Sequence, residues 1–155
     1  GRDSFATFME RASALLTPSG VGLLHTIVTQ GKERNGAWMD KYIFPGAYVP
    51  HLHELTQELW ATKLPVAHCE NLKPHYAETL KHWAANFTAN WNQIQALDPK
   101  YGDRFFRMWH LYLQSCEASF RYGGLHLYQL LFYKGKSWQL DVPLDTSLST
   151  QASHF

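Results

Sequence analysis

The chain has 155 residues, a length that suits one domain with a buried core, and 45% of them are apolar. Its 14 basic and 13 acidic residues are interspersed and leave a formal net charge of +1, which argues against a nucleic-acid-binding groove. No apolar run is long enough to cross a bilayer and the N-terminus lacks a signal-peptide pattern, so a soluble, cytoplasmic protein is predicted.

The first predicted elements are a helix and a strand. Asp3 or Ser4 can cap a helix that runs from Phe5 to Leu16, and the proline and turn residues that follow would end it. Residues Val21 to Val28 are apolar on both alternating faces, a pattern typical of a strand buried between two helix layers in a parallel sheet. The predicted fold class is therefore α/β.

The middle of the chain is predicted to contain a loop, two helices and a second strand. The aromatic, proline-containing segment Lys41 to Pro50 is predicted to be a structured loop that leads into a helix from about His51 to Trp60. Leu64 to Leu72 is the second predicted strand. Pro74 suits the first turn of the next helix, which is predicted to run to about Ala96.

A long helix and a third strand complete the predicted elements. The helix covers Asp103 to about Arg121, two glycines end it, and Leu125 to Tyr133 follows as a strand. Cys69 and Cys116 make no disulfide framework, so they are predicted to be buried, reduced thiols.

Two polar side chains lie within otherwise apolar patterns. His25 lies alone in the first strand, where a histidine bonded to a backbone carbonyl in the core is the ordinary interpretation. Tyr76 opens an apolar helix stripe that is normally core. His51 and His53 have no second spaced pair of ligands, so they are predicted to be surface histidines and no metal is assigned.

The predicted sheet is incomplete. A strand buried on both faces needs neighbours, yet only about three strands are predicted, and no glycine-rich turn joins a strand to a helix as nucleotide-like cofactors require. The sequence therefore predicts the C-terminal half of a larger α/β domain.

Several segments carry a closer resemblance. They are, in order, Leu23 to Ile27, Lys41 to Gly46, Leu72 to Leu80, Arg107 to Trp109, Tyr112 to Cys116, Phe120 and Tyr128 with Gln129. Together they resemble the C-terminal half of the cyclopropane fatty-acid synthase and mycolic-acid methyltransferase family. The resemblance implies a class I, Rossmann-like methyltransferase fold, with residues 1–134 as the C-terminal half of the domain and 135–155 as a loosely ordered tail.

The resemblance also implies a chemistry. Members of that family use S-adenosylmethionine and methylate the double bond of an unsaturated acyl chain through a carbocation, with bound bicarbonate as the usual base. An unsaturated acyl lipid is thus the expected substrate, and peripheral contact with a membrane stays open. The cofactor site is expected to lie mostly outside this chain, and the chain alone is expected to be inactive.

Carried over residue by residue, the family's bicarbonate site falls on the His25 side chain, the Ile27 backbone and the Tyr76 phenol. The family's loop beside the acyl channel falls on Tyr42, Phe44, Pro45, Gly46 and Tyr48. Two further family ligands, a glutamate and a cysteine, have no counterpart in this sequence.

Two other functions stay open. N-methyltransferases of small amines share the Phe-Pro-Gly loop and the His-Tyr helix, so a small amine is an alternative substrate. A non-catalytic module that binds lipids or another protein is the third interpretation. Because an incomplete sheet would leave apolar surface exposed, the chain is also predicted to form a homodimer.

Overall fold

A computed structural model describes residues 4–31 and 36–135 of the chain. Helices and strands follow one another as α1 (Phe5–Leu15), β1 (Val21–Thr29), α2 (Ala37–Tyr42), α3 (Leu52–Ala61), β2 (Val66–Asn71), α4 (Lys73–Ala89), α5 (Trp91–Gln95), α6 (Asp103–Arg121) and β3 (Leu125–Tyr133). The predicted α/β class with about three strands is confirmed. The predicted loose tail falls, apart from its first residue, outside the described residues.

The three strands form one sheet in the order β1-β3-β2, and the central strand β3 runs antiparallel to both neighbours. The prediction that the first strand is buried on both faces of a parallel sheet is wrong for this sheet. Val21, Leu23 and His25 are exposed in alternation, and the second edge of β1 has no strand partner among the described residues. A short apolar run cannot distinguish a strand covered on both faces from one covered on a single face.

The pairing of β1 with β3 brings a glycine beneath an aromatic ring. Gly22 is directly opposite Phe132, and a Cβ atom added to Gly22 would collide with the Phe132 ring. The ring itself is buried. This fit helps to fix the register of the two strands.

The hydrophobic core consists of two clusters. The first, which we call the α1–α3 cluster, contains Met9, Val28, Leu55, Leu59, Leu64, Leu130 and Phe132. The second, the α4–α6 cluster, contains Ala77, Leu80, Ala84, Phe87, Leu113, Phe120 and Leu127. Because side chains alternate along β3, Leu130 and Leu127 lie on opposite faces of the sheet. The two clusters therefore cover the two faces.

The helices differ from the predictions at two places. The short helix α2 was not predicted, and it overlaps the start of the predicted loop Lys41 to Pro50. The helix predicted to continue to Ala96 is broken at Asn90, so α4 and α5 are separate elements. The Asn90 side chain donates to the Asn86 carbonyl at 2.8 Å, a local bond that competes with continuation of the helix. Among the described residues, no helix combines the length and apolar character that crossing a bilayer needs.

Two polar contacts and two thiols complete the scaffold. The Lys134 ammonium donates to the carbonyls of Ser13 (2.7 Å) and Leu16 (3.1 Å), and so ties the end of α1 to the end of β3. Cys69 is exposed on β2, so its predicted burial is wrong, whereas Cys116 is partly buried on α6. Both thiols are free.

Candidate functional site

A pocket of about 480 Å³ opens at the unpaired edge of β1. Its walls are formed by Phe5, His25, Thr26, Ile27, Tyr48, Val49, Pro50, Tyr76 and Leu127. His25, Thr26 and Ile27 are successive residues of β1, and successive side chains of a strand point to opposite faces of the sheet. A pocket that all three residues line must therefore lie at the edge of the strand. The predicted anion ligands His25, Ile27 and Tyr76 are all among the lining residues, and their roles stay predictions.

His25 is held by its neighbour on the central strand. It lies directly opposite Gln129, whose side-chain Nε2 is 3.0 Å from His25 Nδ1. Because the amide nitrogen is a donor, Nδ1 accepts, and the neutral imidazole carries its hydrogen on Nε2. The side chain is exposed and pairs with an amide, which differs from a core histidine bonded to a carbonyl. The ring thus offers a hydrogen-bond donor.

Tyr76 is positioned by the first turn of α4. The Leu72 backbone N–H donates to the Leu127 carbonyl at 2.7 Å, which ties the start of this helix to β3. The Tyr76 ring packs edge-on against Phe120 at 4.7 Å and against Trp83 at 6.0 Å between ring centroids. Its ring is therefore part of the α4–α6 packing, as the helix stripe predicts.

The Tyr76 hydroxyl remains available for a ligand. It makes no hydrogen bond within residues 4–31 and 36–135. Burial, and to a lesser extent the nearby Cys116, raises the pKa of Tyr76 above its ordinary value. The phenol therefore stays protonated at neutral pH and can donate to an anion or another acceptor.

Tyr48 is the one residue of the predicted acyl-channel loop that lines this pocket. Its hydroxyl donates to a Glu54 carboxylate oxygen at 2.6 Å, and the same oxygen accepts from the His51 backbone N–H at 2.8 Å. Its ring lies 6.3 Å from that of Phe5. The capping interactions at the start of α3 thus fix a tyrosine against the pocket.

The other predicted loop residues lie elsewhere. Tyr42 lines a second pocket, and Phe44 packs edge-on against Tyr112 with ring centroids 5.7 Å apart. Gly46 has a φ of +67° and its N–H donates to the Asp40 side chain at 2.9 Å, so it shapes the turn. Pro45 is exposed. The five residues therefore do not form one group.

A tyrosine and a thiol lie behind Tyr76 on α6. Burial raises the pKa of Tyr112 to about 12 and that of Cys116 to about 11, and the two side chains share a hydrogen bond. Both groups are therefore neutral at physiological pH. Cys116 is not a reactive thiolate, because a thiol that holds its proton is a poor nucleophile.

The sequence patterns alone left Gln129 without a role in the site. A single amide within the apolar run Leu125 to Tyr133 is the signal that marks it, but its partner His25 is 104 residues away and is revealed only by the strand register. The part of the chain that the structure describes holds no group of three or more His, Cys, Asp or Glu side chains that could bind a metal ion.

Comparison with known proteins gives a consistent set of relatives. Residues 1–130 match the family model described as mycolic acid cyclopropane synthetase. The cyclopropane-fatty-acyl-phospholipid synthase of Escherichia coli (strain K12) is 31% identical over 136 residues, which cover 87% of this chain and 35% of that protein.

Two solved structures share the fold. The cyclopropane synthase MmaA2 from Mycobacterium tuberculosis superposes with a TM-score of 0.79 at 26% identity, covering 86% of this chain and 51% of that chain. Mycolic acid cyclopropane synthase CmaA1, complexed with SAH and CTAB, gives a TM-score of 0.77 at 29% identity, again covering 86% of this chain and 51% of the other. The chain spans about half the length of these structures and about a third of the E. coli relative.

Proposed function

Because the chain belongs to the mycolic acid cyclopropane synthetase family, we propose that it forms part of an S-adenosylmethionine-dependent C-methyltransferase that acts on the double bond of an unsaturated acyl lipid. We propose further that residues 1–134 are the C-terminal half of its methyltransferase domain. The observation that carries the proposal is the shared pocket: His25 and Ile27 on β1 line one cavity with Tyr76, which lies far along the chain on α4.

The proposed anion site is supported by its donors. His25 offers an Nε2 hydrogen because Gln129 occupies Nδ1, and Tyr76 offers a protonated hydroxyl without a partner among the described residues. An anion is bound by donors of this kind. We propose that these two side chains, with the Ile27 backbone, hold bicarbonate, which would supply a proton acceptor beside the substrate.

The rest of the pocket suits a hydrocarbon chain. Phe5, Val49, Pro50 and Leu127 contribute apolar surface, and the Tyr48 and Tyr76 rings contribute aromatic surface. When a methyl group is added to one alkene carbon, positive charge develops on the other, and loss of a proton restores a neutral product. Aromatic faces attract a positive charge without forming a bond to it. The pocket thus combines aromatic surface that can stabilise the cation with hydrogen-bond donors that can hold a base nearby.

The residues present do not fit the cofactor. S-adenosylmethionine would supply the methyl group, but the sequence contains no glycine-rich turn between a strand and a helix that would hold it. No residue of this chain is therefore assigned to the cofactor. Under the proposal, the contribution of the chain is to bind the acyl chain, keep water away and position the base.

Product analysis tests the proposed function. The chain would be joined to the part of the E. coli relative that the match leaves uncovered, then incubated with S-adenosylmethionine and a phospholipid. Vesicles with cis-monounsaturated chains should gain a methylene or methyl group detectable by mass spectrometry, and vesicles with saturated chains should not. A joined protein that binds S-adenosylmethionine but methylates only a small amine would contradict the proposed substrate.

Cofactor binding by the chain alone tests the half-domain assignment. Because the turn that holds the cofactor is absent from the sequence, titration calorimetry of the 155-residue chain with S-adenosylmethionine should show no appreciable binding. Micromolar affinity would overturn the assignment of residues 1–134 to half a domain.

A further inference from the structure

Gln129 contacts a residue of the candidate site without lining the pocket. It is the single amide side chain of β3, and it is not among the residues that form the pocket walls. Within the described part of the chain, the one hydrogen bond of its side chain is the 3.0 Å contact between its Nε2 and His25 Nδ1. Any effect of Gln129 on a ligand must therefore pass through His25.

The two partners of this hydrogen bond differ in how firmly they are held. Gln129 lies on the central strand, directly opposite His25 on one side and Glu70 on the other. His25 is exposed and lies on β1, whose second edge has no strand partner among the described residues. The terminal torsion of a histidine side chain is broad, so an exposed imidazole turns easily. The hydrogen bond from the better-held Gln129 therefore fixes the orientation of the His25 ring.

The group at Nδ1 decides which hydrogen-bonding group His25 leaves for a ligand. A neutral imidazole has one donor and one acceptor nitrogen. An amide N–H at Nδ1 keeps the hydrogen on Nε2, whereas an acceptor at Nδ1 would draw the hydrogen there and leave Nε2 as an acceptor. Tyr76 lines the same pocket and offers a donor. Two donors suit an anion, whereas one donor and one acceptor suit an alcohol or an amine.

We propose that Gln129 is a positioning residue that holds His25 in the tautomer with its hydrogen on Nε2. It thereby selects a hydrogen-bond acceptor, such as bicarbonate, as the ligand of the pocket. The selection of bicarbonate rests on the proposed function. The tautomer does not, because it depends only on the contact between Gln129 and His25.

Two other amide–histidine pairs provide a comparison. Gln114 Nε2 lies 3.4 Å from His110 Nε2 on the exposed side of α6, and Asn71 Nδ2 lies 2.9 Å from His126 Nδ1. Neither of these histidines lines the candidate pocket. The Gln114–His110 pair consists of the same two residue types as the pair in the site, so it serves as the matched control.

Long-range nitrogen–proton NMR of the nitrogen-15-labelled chain tests the tautomer. His25 of the parent chain should carry its hydrogen on Nε2. Gln129→Glu replaces the donor by a carboxylate, which only accepts, so at about pH 8.5, where an ordinary imidazole is neutral, the hydrogen should move to Nδ1. Gln129→Met removes the partner, and both tautomers should be populated. A parent ring with its hydrogen on Nδ1, or an unchanged ring in both variants, would overturn the proposal.

Two further variants control for charge. Gln114→Glu adds the same negative charge beside His110 and should leave the His25 signals as in the parent chain. Glu70→Gln with Gln129→Glu keeps the net charge of the parent and avoids two carboxylates directly opposite each other, and it should still show the reversed tautomer. A tautomer that follows net charge instead of the side chain at position 129 would contradict the assignment. Circular dichroism of each variant confirms that the fold is retained.

Bicarbonate binding, followed by carbon-13 NMR at the same pH, tests the selection of the ligand. Gln129→Glu should weaken binding about tenfold, alone or with Glu70→Gln, because one donor to a charged acceptor is lost. Gln114→Glu should bind as the parent chain does. Undiminished binding together with a reversed tautomer would overturn the selection. Expected tautomers in every variant, with no binding of bicarbonate even by the parent chain, would contradict the proposed function while confirming that Gln129 orients His25.

Discussion

The two faces of the sheet are packed with different side chains. The α1–α3 cluster is mainly aliphatic and fully buried, with Leu59, Leu64 and Leu130 at 0% exposure. The α4–α6 cluster is surrounded by partly buried aromatic rings, which form two groups. In the first, Tyr76 packs on Phe120 and Trp83. The second contains Phe87, Trp91, Phe105, Phe106 and Trp109.

The aliphatic face serves mainly as scaffold, whereas the aromatic face also forms a wall of the candidate pocket. The candidate pocket lies where the two faces meet, with Phe5 packed beside the α1–α3 cluster and Tyr76 beside the α4–α6 cluster. Within the residues that the structure describes, the Tyr76 hydroxyl beside the aromatic cluster has no partner, and His25, on the same face of β1 as Ile27, offers its Nε2 hydrogen. Damage to the aliphatic face should therefore change stability alone, and damage to the aromatic face should change stability and chemistry together.

The largest effect is expected at the junction of the aromatic cluster and the site. Phe120→Ala should lower the free energy of unfolding by about 3 to 5 kcal/mol, because the ring is 2% exposed and packs on Tyr76. Urea unfolding measures the loss. The same variant should broaden the Tyr76 ring resonances in NMR spectra, and unchanged resonances would contradict the assignment of Phe120 as support for that ring.

A matched truncation on the aliphatic face should cost stability without altering the site. Leu59→Ala should lower the free energy of unfolding by about 2 to 4 kcal/mol, because its side chain is 0% exposed. Bicarbonate binding by the folded fraction, followed by carbon-13 NMR, should remain as in the parent chain. If binding falls as much as it does in Phe120→Ala, the two faces do not differ in function.

Removal of the Tyr76 hydroxyl should slow methyl transfer while the packing of the ring is retained. Tyr76→Phe keeps the ring but deletes the proposed anion donor, so methyl transfer by the joined enzyme should fall about ten- to a hundredfold, on the order of 1 to 3 kcal/mol. Unfolding free energy should change by less than about 0.5 kcal/mol. Tyr122→Phe, at a residue 86% exposed, is the control and should retain the full rate.

Alkaline pH should weaken the aromatic face. The folded pKa of Cys116 is raised by burial from 9.0 to about 11, so the folded chain retains this proton while the unfolded chain loses it. The corresponding stability is fully present below pH 9 and is lost as pH rises toward 11. For this partly exposed group the loss should be about 1 kcal/mol. Thermal unfolding of Cys116→Ala should depend less on pH across this range, and an equal dependence would contradict the assignment.

The smallest effect is expected at the polar tie between α1 and β3. Lys134→Met removes the ammonium that donates to Ser13 and Leu16, and it should cost about 1 kcal/mol of unfolding free energy. Lys81→Met, at an exposed residue of α4, should cost less than about 0.5 kcal/mol. Equal losses would show that the tie contributes nothing specific.

Elements with strong local signals were predicted well from the sequence. The helix Asp103–Arg121 and the strand Leu125–Tyr133 have their predicted bounds, because an apolar stripe and two glycines define them locally. The break at Asn90 was missed because a side chain that bonds the preceding turn is a weaker signal than the apolar stripe that continues through it.

Features that depend on distant residues were predicted less well. Exposure of His25 and its bond to Gln129 follow from the register of β1 against β3, which no local pattern specifies. The family resemblance selected His25, Ile27 and Tyr76, and the fold brings them to one pocket, but their binding of an anion remains a proposal. The homodimer likewise stays a prediction, to be tested by analytical ultracentrifugation.

The contact between Gly22 and Phe132 links the register of the sheet to the candidate site. A shift of one residue between β1 and β3 would turn the His25 imidazole away from Gln129 and toward the opposite face of the sheet. A Cβ atom at position 22 would collide with the Phe132 ring, so either the ring or the strand pairing must move. Gly22→Ala therefore touches no ligand, yet it disturbs the packing that holds His25 beside Gln129.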